Sequence, residues 1–246
     1  MGRETVSAVL EAGAEFALVG AADPAFAGSS ISEVIGGDCP VMIEKDIDRV
    51  FEAAKADVAV IFTTPAFAMD NARSAMKAGA VPVIGTTGIT PENLQEIKSL
   101  AKQHGVGAII APNFAIGAVL MMKLASEVAK YMPAAEIIEL HHDKKLDAPS
   151  GTAIKTAEMI ASSRETAPQS GDAVPARGGD YHGVRIHSVR LPGLVAHQEV
   201  IFGGPGQTLR IRHDSYDRKS FMPGVLMAIG KAFGLKDVIY GLENIL

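Results

Sequence analysis

Short apolar runs alternate with amphipathic stretches through the first half of the chain. Phe16-Ala-Leu-Val-Gly20 predicts a strand that ends on glycine. Residues 57–62, 81–85 and 108–111 predict three more. Apolar strands without polar interruption are buried on both faces, as in a parallel sheet covered by helices. Between them, residues 65–79 carry Ala and Met at helical spacing. Thr90-Pro91-Glu92 opens another helix with a cap, a first-turn proline and an early acid. That helix should close at His104-Gly105, where glycine takes the left-handed cap. The alternation predicts an α/β fold built on an open, doubly wound sheet.

The second half is patterned differently. Residues 116–131 predict a helix stopped by Pro133, followed by a strand over 136–142 and a helix from Ser150. Residues 162–180, rich in Gly, Pro and Ser, predict a long loop. Apolar runs at 184–191, 195–202 and 209–213 are parted by Pro192-Gly193 and Gly203-Gly-Pro-Gly206. They predict an antiparallel meander. A last helix is expected over 221–233, and the change of pattern near Pro112-Asn113 marks a domain boundary.

With 246 residues, there is room for one large or two small domains. Apolar residues at 48% and charged residues at 21% are ordinary for a globular protein. A net charge of −5 gives no general nucleic-acid surface. Basic residues do cluster between Arg177 and Arg218, which suits a small anionic ligand. Cys39 is the single cysteine, so no internal disulfide can form and a reducing cytoplasm is expected. No apolar run reaches the ~20 residues of a membrane span. The start, Met1-Gly-Arg-Glu-Thr, lacks the apolar core of a signal peptide.

The chemistry is concentrated in Glu139-Leu-His-His-Asp-Lys-Lys-Leu-Asp-Ala-Pro-Ser-Gly-Thr152, where a strand end leads into a helix start. Neighbouring strand residues point to opposite faces, so His141 and His142 divide their tasks. Histidine suits proton transfer because its ordinary pKa is ~6.5. Lys145 can add charge or a proton. Ser150, Gly151 and Thr152 place backbone N–H groups and hydroxyls at a helix N-terminus, an arrangement that binds carboxylate or phosphate. Adjacent histidines rarely ligate one ion and no third ligand has helical spacing, so no metal is expected. Asp23 follows the first predicted strand, where an acid can hold ribose hydroxyls; Asp23-Pro24 is equally a turn signal. His197 and His213 read as sheet-face residues. Arg218 could meet a substrate carboxylate or lie exposed.

These residues resemble the dihydrodipicolinate reductases, also called 4-hydroxy-tetrahydrodipicolinate reductases, of the diaminopimelate and lysine pathway. The run from Glu139 to Ala153 is similar to that family's E-x-H-H-x-x-K-x-D-A-P-S-G-T-A. Ile84-Gly-Thr-Thr-Gly88 resembles its G-T-T-G loop. Ala111-Pro-Asn-Phe114 with Gly117 resembles its A-x-N-F-S-x-G, with Ala115 where serine is common. The resemblance implies a Rossmann-like domain over 1–112 plus 222–246 that binds NADH or NADPH. It implies an α+β domain with a mixed sheet over 113–221 for substrate binding and homotetramer assembly. The implied substrate is a small dicarboxylate, 4-hydroxy-tetrahydrodipicolinate. His141 and Lys145 are then the proton donors, and His142, Ser150, Gly151 and Thr152 the substrate ligands. Gly85, Thr86, Thr87, Ala111, Pro112, Asn113 and Phe114 join Asp23 as the cofactor contacts.

Family members open with a strand and a G-x-x-G-R-M-G loop, whose last two residues Met1-Gly2 resemble. The sequence therefore reads as lacking the first strand and most of its glycines. It is either a shortened version of a longer chain or a naturally short protein with weakened cofactor affinity. The alternative function is a catalytically impaired tetrameric scaffold. A third reading is a related Rossmann oxidoreductase acting on another small acid, such as an aspartate or homoserine dehydrogenase.

Overall fold

A computed structural model describes residues 1–166 and 175–246. The chain divides into a first unit, Met1–Phe114 with Phe221–Leu246, and a second unit, Ala115–Ser220.

The first unit opens with α1 (Gly2–Glu11), β1 (Ala21–Ala22), α2 (Ile31–Ile35), β2 (Ile43–Glu44) and α3 (Ile47–Ala53). It continues through β3 (Val58–Ile61), α4 (Pro65–Lys77), β4 (Val81–Ile84), α5 (Pro91–His104) and β5 (Ala108–Ile110). The second unit holds α6 (Ile116–Ala129), β6 (Ala134–His141), α7 (Gly151–Ser163), β7 (Gly179–Tyr181), β8 (Val184–Arg190), β9 (Ala196–Gly204) and β10 (Gln207–Ser215). The chain returns to the first unit in α8 (Met222–Ala232) and β11 (Val238–Tyr240).

Local sequence explains the first unit's elements. Pro65 starts α4, and Ala68, Met69, Ala72, Ala75 and Met76 make its buried stripe. Thr90 and Asn93 cap each other's backbone at the start of α5, and Gly105 closes it with φ 64°. All four residues of β4 are buried, as in a strand covered on both faces. The sheet order is β11-β5-β4-β3, parallel throughout. Ile61, Met76, Ile84, Ile97 and Ile110 share its core. Fully burying each such side chain contributes about 1.5–3 kcal/mol.

The strand expected at 16–20 does not form. Phe16 is extended, with φ −137° and ψ 141°, but an extended segment becomes a strand only when a neighbour pairs with it. Pairing begins at Ala21–Ala22, which runs parallel to Ile43–Glu44 in a separate two-stranded sheet.

In the second unit the five-stranded order is β10-β9-β6-β8-β7. β6 and β8 are parallel, and the other neighbours are antiparallel. The expected meander is therefore half right. β9 and β10 form a hairpin, but β6 lies between β8 and β9. Ile137, sited between Ile186 and Val200, supplies the apolar row that makes β6 the central strand. One face of this sheet packs on α6 and α7. Met121, Ala125 and Ala129 meet Ala153, Ala157, Ile160 and Phe202 there. The loop expected over 162–180 is shorter: α7 reaches Ser163 and β7 begins at Gly179. Its middle, 167–174, lies outside the described residues.

Candidate active site

The parallel sheet of the first unit gathers three loops at the carboxyl ends of β3, β4 and β5, the usual ligand edge of open α/β sheets. Gly85 and buried Thr86 follow β4. The Thr86 hydroxyl donates to the Thr63 carbonyl at 3.1 Å and accepts from the Thr63 N–H at 3.2 Å, which locks two of the loops together. A Cβ on Gly85 would stand 2.1 Å from the Phe62 ring, so the ring would have to move to admit any side chain there. That ring meets Phe114 edge-on, with centroids 5.6 Å apart. Thr87 and Pro112 are exposed, Asn113 is half-buried and Ala111 is fully buried. The Ala111 N–H donates to the Ile84 carbonyl at 2.9 Å. Asp23 forms a turn, its Oδ1 accepting the Ala25 N–H at 2.9 Å. The turn signal at Asp23-Pro24 is thus realised, on an exposed residue just past β1.

The second unit holds a network centred on Glu139. This carboxylate is 0% exposed. Strand alternation puts Glu139 and His141 on one face of β6, with His141 opposite Arg190 on β8. His141 Nδ1 lies 2.5 Å from Glu139 Oε2. Arg190 grips the carboxylate with both ends of its fork, Nη1 to Oε2 and Nη2 to Oε1, each at 2.8 Å. The Ser150 N–H donates to Oε1 at 3.3 Å. Burial alone would raise the Glu139 pKa. Hydrogen bonds from His141, Arg190 and Ser188 outweigh it and hold the group at about 2. The carboxylate is therefore ionised and only accepts, so His141 Nδ1 carries the proton of that bond. Nε2 is the ring nitrogen with no partner among the described residues.

Arg190 Nη2 also donates to the Asp147 carbonyl at 2.7 Å, tying the loop after β6 to the same network. In that loop Lys145 Nζ reaches both carboxylate oxygens of Asp147, at 2.7 and 2.8 Å. The Lys145 ammonium holds the Asp147 carboxyl below its ordinary range. Ser150 is buried and caps α7, its hydroxyl accepting the Ala153 N–H at 3.2 Å. Its own N–H is taken by Glu139. The helix-start N–H groups between these two belong to Gly151, which is exposed, and Thr152. His142 is exposed, and its carbonyl accepts the Lys145 N–H at 3.2 Å.

Other candidates find structural uses. His197 Nδ1 pairs with Asp214 Oδ1 at 2.7 Å, and its Nε2 accepts the Val195 N–H. His213 packs against Gly117, and burial lowers its pKa. Arg218 is exposed. Sequence reasoning passed over Glu139 and Arg190. Glu139 stood in the quoted motif, at the i−2 position that shares a strand face with His141. Arg190 had no signal beyond the local excess of basic residues, because only strand register puts it opposite His141. No group of three or more His, Cys, Asp or Glu among the described residues could hold a metal ion.

A parallel sheet with loops at its carboxyl edge, together with a mixed-sheet unit bearing a histidine–carboxylate–arginine network around the buried Glu139, defines a two-unit α/β architecture with a ligand edge of the open-sheet kind. The descriptions "Dihydrodipicolinate reductase, N-terminus" and "Dihydrodipicolinate reductase, C-terminus" match residues 1–114 and 117–246. The chain belongs to the dihydrodipicolinate reductase family. It is 53% identical over 252 residues to the 4-hydroxy-tetrahydrodipicolinate reductase of Syntrophomonas wolfei, covering 100% of this chain and 94% of that protein. To the enzyme of the same name from Listeria monocytogenes serotype 4b it is 52% identical, covering 100% and 95%. A dipicolinate-bound dihydrodipicolinate reductase from Paenisporosarcina sp. TG-14 superposes with a TM-score of 0.85 at 46% identity, covering 100% and 95%. An amine dehydrogenase from Mycobacterium smegmatis shares the fold, with a TM-score of 0.67 at 15% identity over 96% of this chain and 90% of that one.

Proposed function

We propose that this protein catalyses the NAD(P)H-dependent reduction of 4-hydroxy-tetrahydrodipicolinate to tetrahydrodipicolinate, a step of diaminopimelate and lysine biosynthesis. The reading is carried by the relatives at about 50% identity over the whole chain, all bearing that activity in their names. Nothing in the comparisons favours the scaffold alternative.

The first unit suits a dinucleotide. Its loop edge offers Gly85, Thr86 and the exposed Thr87 after one strand, with Ala111, Pro112, Asn113 and Phe114 on the next loop. Asp23 offers an exposed carboxylate for ribose hydroxyls. When bound, NADH or NADPH supplies the hydride.

The second unit's residues hold the dicarboxylate and move protons. Overall, one hydride and one proton are added and one water leaves. His141 or Lys145 delivers the proton; with Nδ1–H committed to Glu139, His141 donates from Nε2 as the imidazolium and is left as the neutral Nδ1–H ring. His142 and the Gly151 and Thr152 N–H groups bind a substrate carboxylate at the positive end of α7. Ser150 supports them as the cap that fixes the helix start. Lys145 must first leave Asp147. That exchange is cheap, because Asp147 is 60% exposed and such ion pairs contribute only about 0–1 kcal/mol.

Assembly as a homotetramer is supported by the sheet face opposite α6 and α7. No described helix of the second unit covers it, and Ile138, Leu140, Val189 and Ile201 remain only partly buried there. No described helix is long and apolar enough to cross a membrane. The single thiol suits a cytoplasmic protein.

The test is a steady-state assay with freshly generated dicarboxylate and either NADH or NADPH, followed by nicotinamide absorbance. Turnover should fall by about 10²–10⁴-fold in Lys145→Ala and His141→Ala. A purified, folded protein that turns over neither cofactor with this substrate would refute the reading.

A further inference from the structure

We propose that Glu139 and Arg190 form a positioning pair for the proton donor His141: the carboxylate keeps a proton on Nδ1, so that the proton His141 takes up and gives to substrate is the one on Nε2. The proposal rests on the reductase reading for its kinetic consequences and on geometry for the rest.

An isolated carboxylate at 0% exposure is costly, so its presence calls for compensation. Compensation here is complete on both oxygens. Oε2 takes His141 Nδ1 and Arg190 Nη1, and Oε1 takes Arg190 Nη2 and the Ser150 N–H. A bidentate guanidinium fixes the plane of the carboxylate, which a lysine cannot do. With the plane fixed, Oε2 meets His141 at 2.5 Å and determines which ring nitrogen is protonated. In the neutral imidazole the other nitrogen would otherwise be free to hold the proton.

The same pair also sets the surroundings. Arg190 holds the Asp147 carbonyl, and Asp147 holds Lys145. Glu139 holds the Ser150 N–H, and Ser150 caps α7. One buried ion pair thus indexes the histidine, the lysine loop and the anion-binding helix start to each other. Both residues of the pair act through His141 and the loop.

The experiment compares Glu139→Gln and Arg190→Lys with the unaltered full-length protein. Histidine side chains are labelled with ¹⁵N, and the His141 signals are assigned by their absence in His141→Asn. At a pH where the ring is neutral, the unaltered protein should show the Nδ1–H tautomer, the form left once Nε2 has given up its proton. In Glu139→Gln one acceptor oxygen facing Arg190 becomes an amide donor, the plane is lost, and the His141 signals should move to a tautomer mixture. Its kcat should drop by about 100-fold, a general acid's worth, with KM for the dicarboxylate changed less than about threefold. Arg190→Lys keeps the charge but not the fork, and should give the same tautomer shift with a smaller loss, on the order of 10-fold. If Glu139→Gln does not fold, Arg190→Lys alone decides. An unchanged tautomer in the folded variants overturns the proposal, even if kcat falls. So does an unchanged kcat. A tautomer shift in a protein that never turns over the dicarboxylate leaves the positioning pair standing and refutes the reductase reading instead.

Discussion

Lowering the pH should remove stability through Glu139, and a substitution isolates its share. In the folded protein the group is held at about 2, against an ordinary 4.5. Its folded value is depressed, so its contribution is fully present above pH 4.5 and is lost as pH falls towards 2. Between those limits the unfolded chain takes up a proton that the folded protein refuses. The span of about 2.5 units corresponds to ~3 kcal/mol, at 1.36 kcal/mol per unit. Most of it, ~2 kcal/mol, disappears between about pH 6 and pH 3. Urea unfolding of the unaltered protein and of Glu139→Gln, at those two pH values and one protein concentration, measures this directly. Asp147 and Asp214 are also held low, but they are present in both proteins and cancel. The unaltered protein should lose ~2 kcal/mol more than the variant on acidification. Parallel losses would show that the His141 and Arg190 bonds do not outweigh the burial of the carboxylate.

Three further outcomes follow from the packing. Thr86→Val leaves both the Thr63 N–H and carbonyl without their shared partner, and should cost about 1–3 kcal/mol in urea unfolding and weaken the thermal shift produced by NADH. Gly224→Ala would put a Cβ 2.0 Å from the Phe114 carbonyl oxygen, a backbone atom that cannot turn aside; a loss of about 1–3 kcal/mol is expected, and an unchanged melting temperature would contradict the close approach. Gly117→Ala would meet the His213 ring at 2.5 Å, but a ring can rotate; the loss should be smaller than for Gly224→Ala, and His213 should change its chemical shift.

The sequence by itself determined those elements whose signals are local. Thr90, Pro91 and Gly105 bracket α5, Pro65 opens α4, and Ser150 caps α7, because caps and first-turn prolines act within a few residues. The chemical segment from His141 to Thr152 was legible for the same reason: its donors and its helix start are consecutive in the chain. Tertiary structure decided the rest. Residues 16–20 have strand composition, yet a ladder needs a partner, and pairing began only at Ala21. Residues 184–213 look like a meander, yet β6 enters between β8 and β9, a choice made by apolar rows spread over three strands. Register alone brings Arg190 across to Glu139 and His141, 51 residues apart in sequence for the carboxylate. No local pattern marks a guanidinium as the partner of a buried carboxylate. The parallel pairing of β6 and β8 does so, and with it sets the orientation of His141.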